Sequence, residues 1–198
     1  TGYKAPNFNV DKATVVRAAV QNADGVFSDV VSQTYFVTTS NLAQYQDLTV
    51  VSLVTNPENL FDPDTGIYVT GNQYLDWKNS DAYNPDKSVW DTDNLTNYFS
   101  KGKEWEREAA LTVFQDGKAV VDQNIGIRIK GASSRNSAQK NFNLYARSTY
   151  GTSKISYPLI PDNYTADGTL IDQYDSVSLR AVSEEGRLRD GFSQKLLT

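Results

Sequence analysis

Period-two alternation of apolar and polar residues recurs along this chain and restricts it to a mostly β architecture. Ile125, Ile127 and Ile129 alternate with polar positions in G-I-R-I-K-G, and Phe142, Leu144 and Ala146 alternate again after a short break. Each run puts its apolar side chains on one face of a half-buried strand. Thr14 to Val20 and Gln33 to Thr38 alternate on either side of the turn Ala23-Asp24-Gly25, which is β-hairpin material. Thr49 to Thr55 is a continuous apolar strand and Asn56 to Leu60 a helical turn. Asp62-Pro63-Asp64-Thr65-Gly66 then bends the chain into a strand from Ile67 to Thr70. Helical spacing is clearest near the end, where Leu188, Phe192 and Leu196 recur every four residues. The predicted fold class is α+β: a mostly antiparallel β lobe with few short helices and a C-terminal helix, preceded by a partial β-sandwich segment.

The charge distribution points to a site. The chain carries a net charge of -5, yet Gln123 to Pro161 holds Arg128, Lys130, Arg135, Lys140, Arg147 and Lys154 and no acid. A cationic island on an acidic protein attracts an anionic group to one place. Strand parity puts Arg128 and Lys130 on one polar face. The small-residue turn Ala132 to Ala138 follows, where the glycine at Gly131 and the hydroxyls of Ser133 and Ser134 let backbone N–H groups approach an anion. If the next strand extends back to Lys140, parity points that cation inward, and a buried ammonium needs a partner.

Glu104, Glu106 and Glu108 alternate before Ala109 to Phe114, so an extended strand there would put all three carboxylates on one face. Such a face either pairs with the basic island or is a solvated strand edge. Glu106 is the first candidate for a lysine partner, with Glu104 and Glu108 next.

Several chemistries are excluded by composition. With no Cys and no His, disulfides, thiolate zinc sites, cysteine nucleophiles and imidazole bases are absent. A 39% hydrophobic and 12% aromatic content argues for a folded protein. No apolar stretch is long enough to cross a membrane, so no membrane insertion is expected. G-I-R-I-K-G has the glycine spacing of a Walker A loop but Ala132 stands where its lysine belongs, and no G-x-G-x-x-G, H-R-D or D-F-G occurs. Asp62 and Asp64 resemble part of a calcium loop whose remaining ligands are missing, and a simple turn is the better reading.

From Gly71 to Gly102 the sequence reads as a long ordered loop, rich in Asn, Asp, Tyr and Trp. Trp77, Trp90 and Trp105 with Tyr74, Tyr83 and Tyr98 either form a flat sugar-binding face or pin this aliphatic-poor loop to the sheet. The sequons at Asn94 and Asn163 are short enough to arise by chance.

G-I-R-I-K-G-A-S-S-R, A-Q-K-N-F-N-L-Y-A-R, Y-G and Y-P-L-I, in this order, resemble the spore coat protein H (CotH) kinase family of atypical kinases. Upstream, V-V-S-L-V-T-N-P-E-N-L-F-D-P-D-T-G-I-Y-V and K-E-W-E-R-E-A resemble the entry to the same domain, and R-L-R-D-G-F-S-Q-K-L-L extends the likeness to about residues 48 to 198. The resemblance implies phosphoryl transfer from ATP, with Mg, to Ser of secreted or surface proteins, with partners that are protein or a cell-wall or glycan assembly rather than nucleic acid. It carries the nucleotide-facing basic positions onto Lys130, Arg135 and Lys140. The metal-binding carboxylates are expected beyond Thr198, so residues 41–198 are read as the first part of a kinase domain without turnover of its own. The run from Val15 to Val37 resembles the closing strands of a chitobiase C-terminal-like immunoglobulin-like module, which makes residues 1–40 a spacer remnant. The competing expectation is a noncatalytic extracellular module, either a glycan binder or a structural scaffold.

Overall fold

The computed structural model describes residues 7, 13–36, 45, 47–86 and 95–181. It is an α+β protein whose strands all pair antiparallel. Strands β1 (Ala13–Ala18) and β2 (Val31–Phe36) form one two-stranded sheet. Five strands form the main sheet in the order β3-β4-β5-β6-β9: β3 is Val50–Val54, β4 Arg107–Gln115, β5 Lys118–Lys130, β6 Asn141–Tyr145 and β9 Ser176–Leu179. The short pair β7 (Ile155–Ser156) and β8 (Gln173–Tyr174) lies in the excursion between β6 and β9. Two short helices, α1 (Pro57–Phe61) and α2 (Asn72–Lys78), follow β3.

The longest pairing, β4 with β5, is closed by Asp116 and Gly117, with φ of 49° and 72°. Two successive positive φ values match the right-handed twist of the flanking strands, and an Asp-Gly pair adopts them at little cost. From this hairpin the register fixes which residues are buried. Ala109, Leu111 and Val113 share a face with Val121, Ile125, Ile127 and Ile129, and β6 adds Leu144. Ile67, Ile155, Leu60, Tyr68 and Trp105 pack onto that face from the connecting segments. The other face is covered at one end by β2. Thr34 and Ser52 share a 2.8 Å hydrogen bond, Gln33 Nε2 donates to Asp122 Oδ2 at 2.7 Å, and Phe36 meets Phe114 edge-on at 5.0 Å.

Local expectations fail at three places. Ile67 to Thr70 is a turn and not a strand, because the N–H groups of Ile67 and Tyr68 donate to Asn59 and Leu60 of α1. Residues 71–102 are not a continuous loop, since α2 and a 3-10 turn at Asn97–Phe99 lie within them. Glu104 belongs to the 3-10 turn Lys103–Trp105 and β4 starts only at Arg107, so the three glutamates do not line one strand face. The predicted C-terminal helix, Trp90 and Asn94 lie outside the described residues.

Asp62 behaves as a turn cap. Its Oδ1 accepts from the backbone N–H groups of Asp64 and Thr65 at 2.9 and 2.8 Å and from the Thr65 hydroxyl at 2.9 Å. These bonds, that from the Thr65 backbone first, hold its pKa below the ordinary 3.8. A depressed carboxylate pKa contributes stability above the unfolded value, and that contribution is lost as pH falls through the folded value. Asp62→Ala is therefore expected to lower the melting temperature at pH 7, with the gap to the parent closing on acidification below 3.8; melting curves along a pH series check this.

Candidate functional site

Glu106 lies just before β4 and keeps its side chain only 1% exposed. It lies against Gly126 in the middle of β5, where an added Cβ would come within 2.5 Å of Oε1. No positive φ is involved there, so the glycine supplies space. The carboxylate is gripped by Arg147, whose Nε and Nη2 donate to Oε1 and Oε2 at 2.7 and 3.0 Å. Tyr150 adds its hydroxyl to Oε1 at 3.2 Å, and Arg128 Nε stands 3.4 Å from Oε2. The two guanidinium carbons lie 4.1 Å (Arg128) and 4.9 Å (Arg147) from the centre of the Tyr145 ring. The hydrogen bond to Glu106 raises the Arg147 pKa, while burial first and the Glu106 charge second raise that of Tyr150. The expected lysine partner of Glu106 is thus replaced by arginines, because the β4–β5–β6 register brings Arg128 and Arg147, and neither Lys130 nor Lys140, to the carboxylate. Glu108 instead accepts from Asn124 Nδ2 at 3.1 Å.

The loop between β5 and β6 is built around two cations, Arg135 and Lys140, each 7% exposed. Arg135 sits in the 3-10 turn Ser133–Asn136 and donates to the carbonyls of Gly131 at 2.7 Å and of Tyr98 and Ser100 at 3.0 Å each. Lys140 Nζ donates to the carbonyls of Arg135 and Ser137 at 2.7 and 3.0 Å and stands 4.0 Å from the Tyr98 ring centre and 5.2 Å from that of Tyr68. Gly131 enters this loop at φ +122°, and a side chain there would collide with Ser134 Oγ. Ser134 Oγ accepts from Asn141 Nδ2 at 3.0 Å, and Ser133 opens the turn at its exposed side. Among the described residues neither cation has a carboxylate within ion-pair distance. Burial lowers both pKa values, and the charge of Arg128 adds to the effect on Arg135. Lys140 is buried, but β6 begins only at Asn141, so strand parity does not set its direction; carbonyl oxygens and ring faces receive it.

Lys130 goes the other way. It pairs with Asn141, and its Nζ donates to Ser178 Oγ at 2.7 Å, which in turn donates to Asn143 Oδ1 at 2.7 Å. Arg128 pairs with Asn143, so Arg128 and Lys130 share the sheet face away from the core. Lys140 lies instead by Tyr68, which stacks on the core-side Phe142 at 6.1 Å. The last cation of the island, Lys154, forms an exposed pair with Asp175 at 2.6 Å, of the kind that contributes little.

The described aromatic residues of the 71–102 segment do not share a flat face. Tyr74, Trp77 and Tyr83 cluster at 5.7 and 5.1 Å with ring planes tilted by 51° and 75°. Tyr98 covers Lys140, and Trp105 packs on the core beneath Arg107. Sequence reasoning missed Gly126, Tyr145, Tyr150 and Tyr68 as parts of the site. Parity from Arg128 across to Asn143 and Tyr145 was the available signal, while the approach of Glu106 requires knowing the register.

Among the described residues no group of three or more Asp, Glu, His or Cys could hold a metal ion. No family model, no curated protein and no solved structure matches this chain.

Removing one member of a buried charge cluster strands the others. Because Arg128 and Arg147 keep 24% and 33% of their side-chain surface in water, Glu106→Ala is expected to cost about 1.5–3 kcal/mol in urea unfolding, with Glu106→Gln milder. Lys140→Met should show a different signature. A lysine pKa depressed by burial makes the parent gain stability relative to the variant as pH rises from the folded value toward the unfolded 10.5. Unfolding midpoints of the two proteins through alkaline pH report that divergence.

Proposed function

We propose that this chain is the nucleotide-side part of a secreted or surface atypical kinase of the CotH type, which transfers phosphate from ATP to Ser of partner proteins. One observation carries the reading: Arg135 and Lys140 are buried in a single glycine- and serine-containing loop with no carboxylate partner among the described residues. Buried cations without a counter-charge are costly, and an arriving phosphate offsets that cost. Two of the motifs that resemble the family, G-I-R-I-K-G-A-S-S-R and A-Q-K-N-F-N-L-Y-A-R, lie on this loop and its flanking strands.

The residues fit the phosphates of ATP. The exposed turn at Ser133 and Ser134, Arg135 and the neighbouring Lys130 offer donors and positive potential, as phosphoryl transfer requires. Lys140 acts through its charge, because carbonyls and the Tyr98 ring engage its ammonium. The fit does not extend to Mg: the described residues offer no carboxylate group for it, so the metal and the orientation of the attacking hydroxyl are not assigned to them. The strands β1 and β2 are read as the end of an immunoglobulin-like spacer, with residues 1–40 and 41–198 as the two units.

The glycan-binding alternative rests on Tyr74, Trp77 and Tyr83, which cluster apart from the core. Titration calorimetry separates the readings. ATP and inorganic triphosphate should both bind, more weakly at high salt because screening shortens the reach of the cations. Lys130→Ala should weaken both roughly tenfold, the loss of about one charge-assisted contact. Tryptophan quenching by sugars with no response to ATP would replace the kinase reading with the glycan one.

A further inference from the structure

Among the described residues, Arg128 is the member of the Glu106 cluster that makes no hydrogen bond to the carboxylate. Arg147 spends two N–H groups on the carboxylate, but the Nε of Arg128, closed off from solvent, stands 3.4 Å from Glu106 Oε2 and makes no hydrogen bond. A guanidinium carries five N–H donors in a rigid fork, and no described residue accepts a hydrogen bond from this one. The enclosed Nε faces the Glu106 carboxylate as a longer charge contact, and the 24% of the side chain that stays exposed leaves the outer end of the fork to an arriving anion. The group is nevertheless held in place. Its carbon lies 4.1 Å from the centre of the Tyr145 ring, and Glu106 sits beside it in the space left by Gly126.

The surroundings of Arg128 are electropositive. Lys130 is on the same strand face two residues on, and the positive charge of Arg128 reaches Arg135 in the loop. Half-buried Asn143 and exposed Ser178 continue the polar face beside them. Glu106 is the counter-ion of the cluster, and its hydrogen bonds come from Arg147 and Tyr150, with Arg128 Nε at the longer distance of 3.4 Å.

We infer that Arg128 contacts a phosphate of the nucleotide bound at this loop, and that Glu106, seated over Gly126, is the residue that positions it. The inference rests on the nucleotide reading above and adds to it a phosphate contact on the open sheet face and a device that holds it. Arg128 binds and Glu106 orients; the planar fork of arginine, rather than charge alone, is what the site uses.

The test is calorimetry with ATP, inorganic triphosphate and adenosine on the parent, Arg128→Ala, Arg128→Lys and Gly126→Ala. Arg128→Ala should weaken ATP and triphosphate roughly tenfold or more, as expected for one charge-assisted contact, and leave adenosine binding unchanged, with a melting curve showing that the variant, though less stable, is folded at the titration temperature. Arg128→Lys should recover only part of the loss. Gly126→Ala, which presses on Glu106 without touching ligand, should weaken the same two ligands, and a melting curve shows whether the variant is folded. Equal triphosphate affinity in the parent and Arg128→Ala overturns this inference while leaving the nucleotide reading intact. Absence of ATP and triphosphate binding in the parent overturns both.

Discussion

The enclosed carboxylate of Glu106 is the constraint around which the site end of the sheet is arranged. A carboxylate 1% exposed is tolerable only when its lone pairs are filled, because its desolvation costs several kcal/mol. Filling them requires four separate segments to be in register: the start of β4, Gly126 on β5, Arg147 just after β6 and Tyr150 in the following turn. Glycine is needed at 126 because the carboxylate occupies the position of its side chain. A one-residue slip of β5 against β4 would remove that space and send the Ile125, Ile127, Ile129 row to the wrong face. The ion cluster and the apolar core therefore specify the same register.

The loop between β5 and β6 solves the opposite problem with different means. Its buried charges are positive, and they are received by carbonyl dipoles and aromatic faces instead of carboxylates. Carbonyl oxygens satisfy the donors but carry no net charge, so the hydrogen bonds close while the electrostatic potential stays open. That combination makes the loop both ordered and attractive to an anion. The depressed Lys140 pKa reflects the same imbalance, since burial penalises a charge that no acid offsets.

Strand parity made much of this legible in the sequence. The Ile125 to Ile129 row and the shared face of Arg128 and Lys130 follow from alternation alone, whereas Lys140 lies before β6 and is held inward by loop carbonyls. Alternation misled at Glu104 to Glu108, where Gly102 at φ 102° starts a 3-10 turn and ends the two-residue period before Glu106. The turn at Asp62 to Gly66 was readable, but the segment after it is no strand, because the N–H groups of Ile67 and Tyr68 bond back to α1. Asp116-Gly117 was a readable hairpin signal, and it would have tied Glu106 to β5 through the register that the turn imposes. What no local pattern carries is the meeting of Glu106 with Arg147, 41 residues apart, which depends on three strands pairing at once.

The first hairpin stands apart from this site in its energetics. Every residue of β1 is exposed, and β2 meets the main sheet through Thr34, Gln33 and Phe36. Among the described residues this attachment is carried mainly by polar side chains and one ring pair, and such a contact opens more readily than a strand such as β5, whose apolar face is closed over by the core. The hairpin reaches β5 at Asp122, whereas the loop that holds Arg135 and Lys140 begins after Lys130 at the far end of the same strand, about 26 Å away at the rise of an extended chain. Nothing in the geometry of Glu106, Arg128, Arg135 or Lys140 passes through the hairpin. Motion of the hairpin therefore leaves the charged loop ordered, because the order of that loop is set by β4, β5 and β6 and by the carbonyls that hold its cations.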